Sequence, residues 1–226
     1  MKHPALTLPA RQLTIAWQSA SLLLDYPDEA LRERLPLILR AAAELPAAVR
    51  DPLCRTAQAV ATKDLPALQA QYVETFDNRR RHNLYLTYFA HGDTRRRGVA
   101  LLRFKQTYLR SGFVLDDSEL PDHLCVVLEY AATVDQRLGS RLLLDHRAGL
   151  ELLRIALAEA DSDWHGAVQA VTATLPPLAG DERDAVARLA AEGPPQEEVG
   201  MTPYATPAFD AGVQPLPMPS FPGGQR

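Results

Sequence analysis

Apolar residues recur at helical spacing along most of the chain. Leu13, Trp17, Ala20 and Leu24 fall at i, i+4, i+7 and i+11, which places them on one face of a helix. Leu31, Leu35, Ile38, Ala42 and Leu45 repeat the pattern around Pro36, where the missing backbone donor predicts a kink or two short helices. Asp64 and Pro66 open another helix through Leu65, Leu68, Tyr72 and Phe76. Asp93 or Thr94 caps the next, which puts Leu101, Phe104 and Tyr108 toward the core and stops at Gly112. Pro121 and Asp122 start the most apolar helix, through Leu124, Val127, Leu128 and Ala131, expected at the centre of the fold. Its Asp122, Val126, Glu129 and Thr133 share the opposite face. Leu143, Leu150, Leu153, Leu157 and Ala160 mark a long helix after Gly139-Ser140, and shorter ones follow Asp163 and Asp181. No segment alternates with the period of two that a strand requires. The pattern predicts an all-α, single-domain bundle of seven to nine helices.

Composition refines the boundaries. The chain has 226 residues, 46% of them hydrophobic, enough for one substantial core. At Gly193 the sequence turns rich in Pro and Gly and loses its periodicity. The expected organisation is therefore a helical domain over 1–192 and a flexible Pro/Gly-rich tail over 193–226. The Met1-Lys-His-Pro start lacks the apolar run of a secretory signal, and no apolar stretch is long enough to cross a bilayer. A cytoplasmic protein without stable membrane insertion is expected. Cys54 and Cys125 sit among helical apolar residues and read as reduced core thiols.

Charge is unevenly placed. The 24 Lys/Arg and 28 Asp/Glu give a net −4, yet Arg79 to Arg110 holds nine basic residues and one acid, Asp93, leaving 15 and 27 elsewhere. The acidic total argues against a general nucleic-acid binder, and an all-α nucleic-acid regulator using Arg79–Arg97 stands only as an alternative. Arg96, Arg103 and Arg110 are seven residues apart and form a stripe on their helix. Two arginine triplets, 79–81 and 95–97, bracket Tyr85 and Tyr88. The planar guanidinium suits carboxylates, and Glu74, Asp77 and Asp93 are near in sequence. An internal arginine–carboxylate network is the preferred reading over a pure partner surface. Glu119, Asp122 and His123 gather at a helix start, where acids cap free N–H groups or form the rim of a groove.

Chemistry is sparse elsewhere. The six histidines show no HExxH and no zinc spacing with cysteine, and neither GxSxG nor a phosphate-binding glycine loop occurs. His91-Gly92-Asp93 reads as a turn. No catalytic residue, cofactor site or metal site is predicted.

Three stretches together resemble a known family. "YVETFDNRRRHNLYLTYFAHGDTRRRGVALL", residues 72–102, resembles the signature of the respiratory nitrate reductase assembly chaperones of the delta-subunit type. "ELPDHL", residues 119–124, is similar to a motif of the wider superfamily of redox-enzyme maturation chaperones, and "SLLLDYPDE", residues 21–29, to the family's amino-terminal segment. The likeness spans roughly residues 12–165. It implies an all-α fold without catalysis. It also implies a dedicated chaperone that binds the apo form of the large, molybdenum-containing nitrate reductase subunit, including its N-terminal segment. Such a chaperone keeps its client open for molybdenum cofactor insertion and delays membrane attachment. Molybdenum cofactor biosynthesis proteins are implied as further partners and nucleic acid is not; a related molybdoenzyme is the nearest alternative client. Client-peptide contacts are expected at Asp122, His123 and Glu119, and also at Arg96, Arg103, Tyr85 and Tyr88. Asp122 and His123 are expected to be replaceable with little change in thermal midpoint.

Overall fold

The computed structural model describes residues 8–116 and 119–195; residues 196–226, and with them most of the expected tail, lie outside the described residues. The described residues form eleven α-helices, one 3₁₀ turn and an isolated bridge, with no strand. The all-α expectation holds. The count exceeds seven to nine because short helices and one poorly marked helix escape periodicity.

The first helix, α1 (Ala10–Leu24), buries Ala16, Trp17, Ala20, Leu23 and Leu24 against the helices over 29–42, 47–62, 124–133 and 165–173. Trp17 donates its indole N–H to Thr174 Oγ1 at 2.9 Å, so its buried polar atom is satisfied. Asp28 caps α2 (Glu29–Ala42) by accepting from Leu31 N–H at 2.7 Å. α2 passes through Pro36 as one helix, not as two. Pro36 is on the exposed side, and the buried stripe of Leu31, Leu35, Ile38 and Ala42 holds both halves. α3 (Ala47–Thr62) was not apparent in the sequence: Pro52 lies within it, and alanines dilute its stripe of Val49, Leu53, Ala57 and Val60. It packs tightly on α10 (His165–Ala173), because a Cβ at Gly166 would sit only 2.2 Å from the Pro52 carbonyl oxygen.

α4 (Leu65–Phe76) is capped by Asp64, as the sequence implies. A 3₁₀ turn at Arg80–His82 leads to α5 (Leu86–His91), which ends at Gly92 with φ +56°, in the left-handed region that favours glycine. α6 (Arg95–Arg110) buries Ala100, Phe104 and Tyr108. α7 (Leu124–Thr133) is the central helix, but it begins two to three residues later than Pro121-Asp122 implies. Those two residues form the preceding turn. α8 (Gln136–Asp145) and α9 (Arg147–Glu159) break at His146, not at Gly139-Ser140. Gly139 lies inside α8 because its bare backbone meets Ala131 of α7, where a Cβ would approach the alanine Cβ to 2.3 Å. α11 (Gly180–Glu192) packs on α9 and is followed by Gly193. No described helix is long and apolar enough to cross a membrane.

Candidate functional site

The site grows from a contact between two segments far apart in sequence. Leu124 N–H donates to Leu84 O at 2.9 Å and Leu86 N–H to Asp122 O at 3.0 Å, pairing Tyr85 with His123 in an antiparallel bridge. Asp122 is fully buried. Its Oδ2 accepts from the Thr87 backbone N–H at 3.1 Å and from the Thr87 hydroxyl at 2.5 Å. Arg97 Nη2 lies 3.8 Å from the same oxygen, while its Nε donates to Thr87 Oγ1 at 3.3 Å and its guanidinium stands 5.2 Å from the Tyr85 ring centroid. A carboxylate this deep is stable only with such partners. Asp122 therefore clamps the start of α5 onto the turn before α7 and cannot also open that helix. This burial argues against the expectation that Asp122 can be replaced at little structural cost.

Its neighbours lie nearer the surface, with Tyr85 and Glu119 half-buried and His123 buried at 8% exposure. His123 packs edge-on against Tyr85 at 5.1 Å, and the Tyr85 hydroxyl donates to Glu119 Oε1 at 3.0 Å. Burial and the Glu119 carboxylate push the Tyr85 phenol up to about 12. Burial lowers the His123 pKa below the usual imidazole value, against the opposing pull of Glu119, Asp25 and Asp122. His123 and Glu119 line a cavity of about 630 Å³ together with Ser21, Asp25, Cys125 and residues 113–116. A second cavity of about 620 Å³, walled by Ile15, Leu37, Ile38 and Ala41, shares Gln18, Leu22, Arg34 and Glu129 with the first. The two form one groove between α1, α2 and α7, apolar at one end and carboxylate-rich at the other. Gln18 Oε1 is buried in its wall without a hydrogen-bond partner. Cys125 is buried, and that burial raises its thiol pKa well above the ordinary value, which makes it a poor nucleophile.

The remaining predicted residues go elsewhere. Arg96 and Arg103 are exposed on the outer face of α6 and do not line the groove. Tyr88 is buried against Phe89. Of the arginine triplets, Arg79 pairs with Glu74 at 3.6 Å, Arg81 donates to Ala190 O at 3.1 Å, and Arg97 bonds Asp93 and Thr87, so part of the basic stretch is internal scaffolding. Sequence reasoning missed the α1 and α2 walls of the groove, which carry no motif, and the individual role of Arg97. Its i, i+4 relation to Asp93 was the one available signal for that arginine. Among the described residues no group of three His, Cys, Asp or Glu is arranged to hold a metal ion.

Comparison with known proteins adds a family. Residues 42–170 match the family described as nitrate reductase delta subunit. The chain is 41% identical over 160 residues to the Mycobacterium tuberculosis "nitrate reductase-like protein NarX", covering 71% of this chain but 24% of that protein. It thus spans about a quarter of that relative's length. It is 35% identical over 181 residues to the Bacillus subtilis "probable nitrate reductase molybdenum cofactor assembly chaperone NarJ", covering 71% of this chain and 97% of the relative. Escherichia coli NarJ, described as a nitrate reductase molybdenum cofactor assembly chaperone, is 35% identical over 147 residues, covering 64% of this chain and 62% of NarJ. A crystal structure from Archaeoglobus fulgidus, described as a redox enzyme maturation protein, shares the fold with a TM-score of 0.54 at 24% identity, covering 76% of this chain and 97% of that one.

Proposed function

Because this chain belongs to the nitrate reductase delta subunit family, we propose that it is an assembly chaperone for the molybdenum-containing catalytic subunit of a nitrate reductase. It binds the apo-subunit, including its N-terminal segment, and keeps it open to molybdenum cofactor insertion before the complex attaches to the membrane. Molybdenum cofactor biosynthesis proteins join it at that stage. No catalytic step is assigned to the chain itself.

The observation that carries this reading is the groove. An amphipathic helical segment laid between α1 and α2 sets its apolar side on Ile15, Leu22, Leu37 and Ile38. Its basic side chains then meet Asp25, Glu119 and Glu129, and Arg34 offers one site for an acid. Charges at the rim choose orientation and reject wrong clients more than they add affinity. His123 forms the wall nearest Glu119, with Tyr85 packed against it, and Asp122 with Arg97 fixes that wall without touching the client. Ordering a flexible segment costs entropy, so a dissociation constant on the order of micromolar is expected, suited to release. Titration calorimetry with the N-terminal peptide of the cognate catalytic subunit tests this. Heat of binding that vanishes in Leu37→Asp is the expected outcome; no binding by the unaltered chain at about 100 µM rules the groove out as the peptide site.

A nucleic-acid role is disfavoured by the arginines that Glu74, Ala190, Asp93 and Asp122 already engage. Which molybdoenzyme is the client is decided by the same calorimetry with peptides from related reductases.

A further inference from the structure

The outer face of α6 is the chemical complement of the groove. Val99, Leu102 and Leu109 are 57%, 58% and 59% exposed, unusual for large apolar side chains on one helix. Arg96, Arg103 and Arg110 stand beside them, exposed, and their guanidinium groups bond to no described residue. The helix contains no acid. At 100° per residue, Leu109, Leu102, Val99, Arg110, Arg103 and Arg96 fall in that order on an outward arc of about 140°, with exposed Arg95 and Gln106 between Leu102 and Val99. That face carries its apolar residues on one side and cations on the other. The groove is apolar along Ile15, Leu22, Leu37 and Ile38, with Asp25, Glu119 and Glu129 set against a single Arg34.

The spacing matches as well as the charge. Ile15 and Leu22 in the α1 wall are seven residues apart, as are Leu102 and Leu109 on α6, so both pairs rise by about 10.5 Å. The two surfaces also adjoin within one molecule: α6 ends at Arg110, and Phe113, Val114 and Leu115 already line the groove. Two copies can therefore exchange the contact reciprocally about a two-fold axis and close on themselves. We propose that the chain forms a weak homodimer in which the outer face of α6 from each copy occupies the α1–α2–α7 groove of the other. The consequence for function rests on the client reading: the dimer covers the groove, and a client segment must displace the second copy to enter.

Sedimentation equilibrium of the full chain tests the dimer. From about 1 to 300 µM at low salt, the mass should climb from the monomer's 24.9 kDa toward twice that value. In 0.5 M NaCl the midpoint should move at least about threefold to higher concentration, because screening weakens the exposed charge pairs. Leu109→Glu with Arg110→Glu should remain monomeric, and so should Glu129→Arg. An equimolar mixture of these two proteins should regain dimer, because each repairs the other's charge; misfolded variants would not. Wild type that stays monomeric throughout, or a dimer that survives either variant with its circular dichroism intact, overturns the inference. A monomeric wild type whose α6 face binds anionic vesicles would overturn it too and reassign the face to a lipid surface. Calorimetry on the Leu109→Glu/Arg110→Glu monomer separates the two readings. Dimerisation as predicted without peptide binding defeats only the client reading, and peptide binding by a wild type that never dimerises defeats only this one.

Discussion

Replacing Asp122 should cost the fold, not merely the site. Removing the carboxylate in Asp122→Ala leaves the Thr87 N–H and hydroxyl without their acceptor and takes away the carboxylate nearest Arg97 Nη2, leaving that guanidinium, whose side chain is 17% exposed, with Thr87 and Asp93. Each orphaned buried donor costs about 1–3 kcal/mol. Breaking a buried charge pair from one side costs about 3–5 kcal/mol in all, because the remaining charge stays desolvated. At about 2–4 °C per kcal/mol for a domain of this size, the thermal midpoint should fall by about 10 °C. Asp122→Asn keeps an acceptor for Thr87 but loses the charge, and should cost about 2 kcal/mol. In a double-mutant cycle, Asp122→Asn and Arg97→Met should couple by about 1 kcal/mol or more, since the two residues share one network. Urea unfolding measures these differences from shifts in midpoint at constant slope. If Asp122→Ala moves the thermal midpoint by less than about 2 °C while abolishing client binding, the positioning role is wrong and Asp122 meets the client directly.

Leu37→Asp with Glu129→Lys should weaken peptide binding by at least about tenfold, and calorimetry reads the loss while circular dichroism reports an unchanged fold, both side chains being exposed. Gly166→Ala should force α10 from α3, since the new methyl would fall 2.2 Å from Pro52 O and 2.8 Å from Thr56 Oγ1; a loss of about 1–3 kcal/mol is expected from urea unfolding. Burial lowers the pKa of His82, His123 and His146 below the ordinary 6.5, so the unfolded chain binds more protons than the native one just below that pH. The stability they allow is therefore complete above pH 6.5 and is lost as the pH falls toward their native values. Thermal midpoints at pH 7.5 and 5.5 should show the decline, and His146→Gln should flatten it.

Much of the fold can be read from local rules, and the groove in part. The stripes of α1, α2, α4 and α6 predicted those helices; of the expected shared face of Asp122, Val126, Glu129 and Thr133, Glu129 and Thr133 are exposed and Val126 and Glu129 stand in the groove wall, whereas Asp122 is buried. Local rules failed where packing between distant segments decides. Gly139 reads as a breaker, yet close approach to Ala131 keeps it helical, and the chain breaks at His146 instead. Pro121-Asp122 reads as a helix start, yet Asp122 serves α5 from 35 residues away in sequence. The family signature marks a neighbourhood without sorting its members. Tyr85, Glu119 and His123 come together, Asp122 is beneath them, and Arg96 and Arg103 point elsewhere. Gln18, Leu22, Arg34 and Leu37 are ordinary helix-surface residues until α1, α2 and α7 meet.

The most direct test of the account is the molybdenum content of the nitrate reductase catalytic subunit purified from cells that lack this chain. Subunit that accumulates without its metal cofactor is expected, restored by the wild-type chain and not by Leu37→Asp/Glu129→Lys. Fully metallated, active enzyme in cells lacking the chain would contradict it.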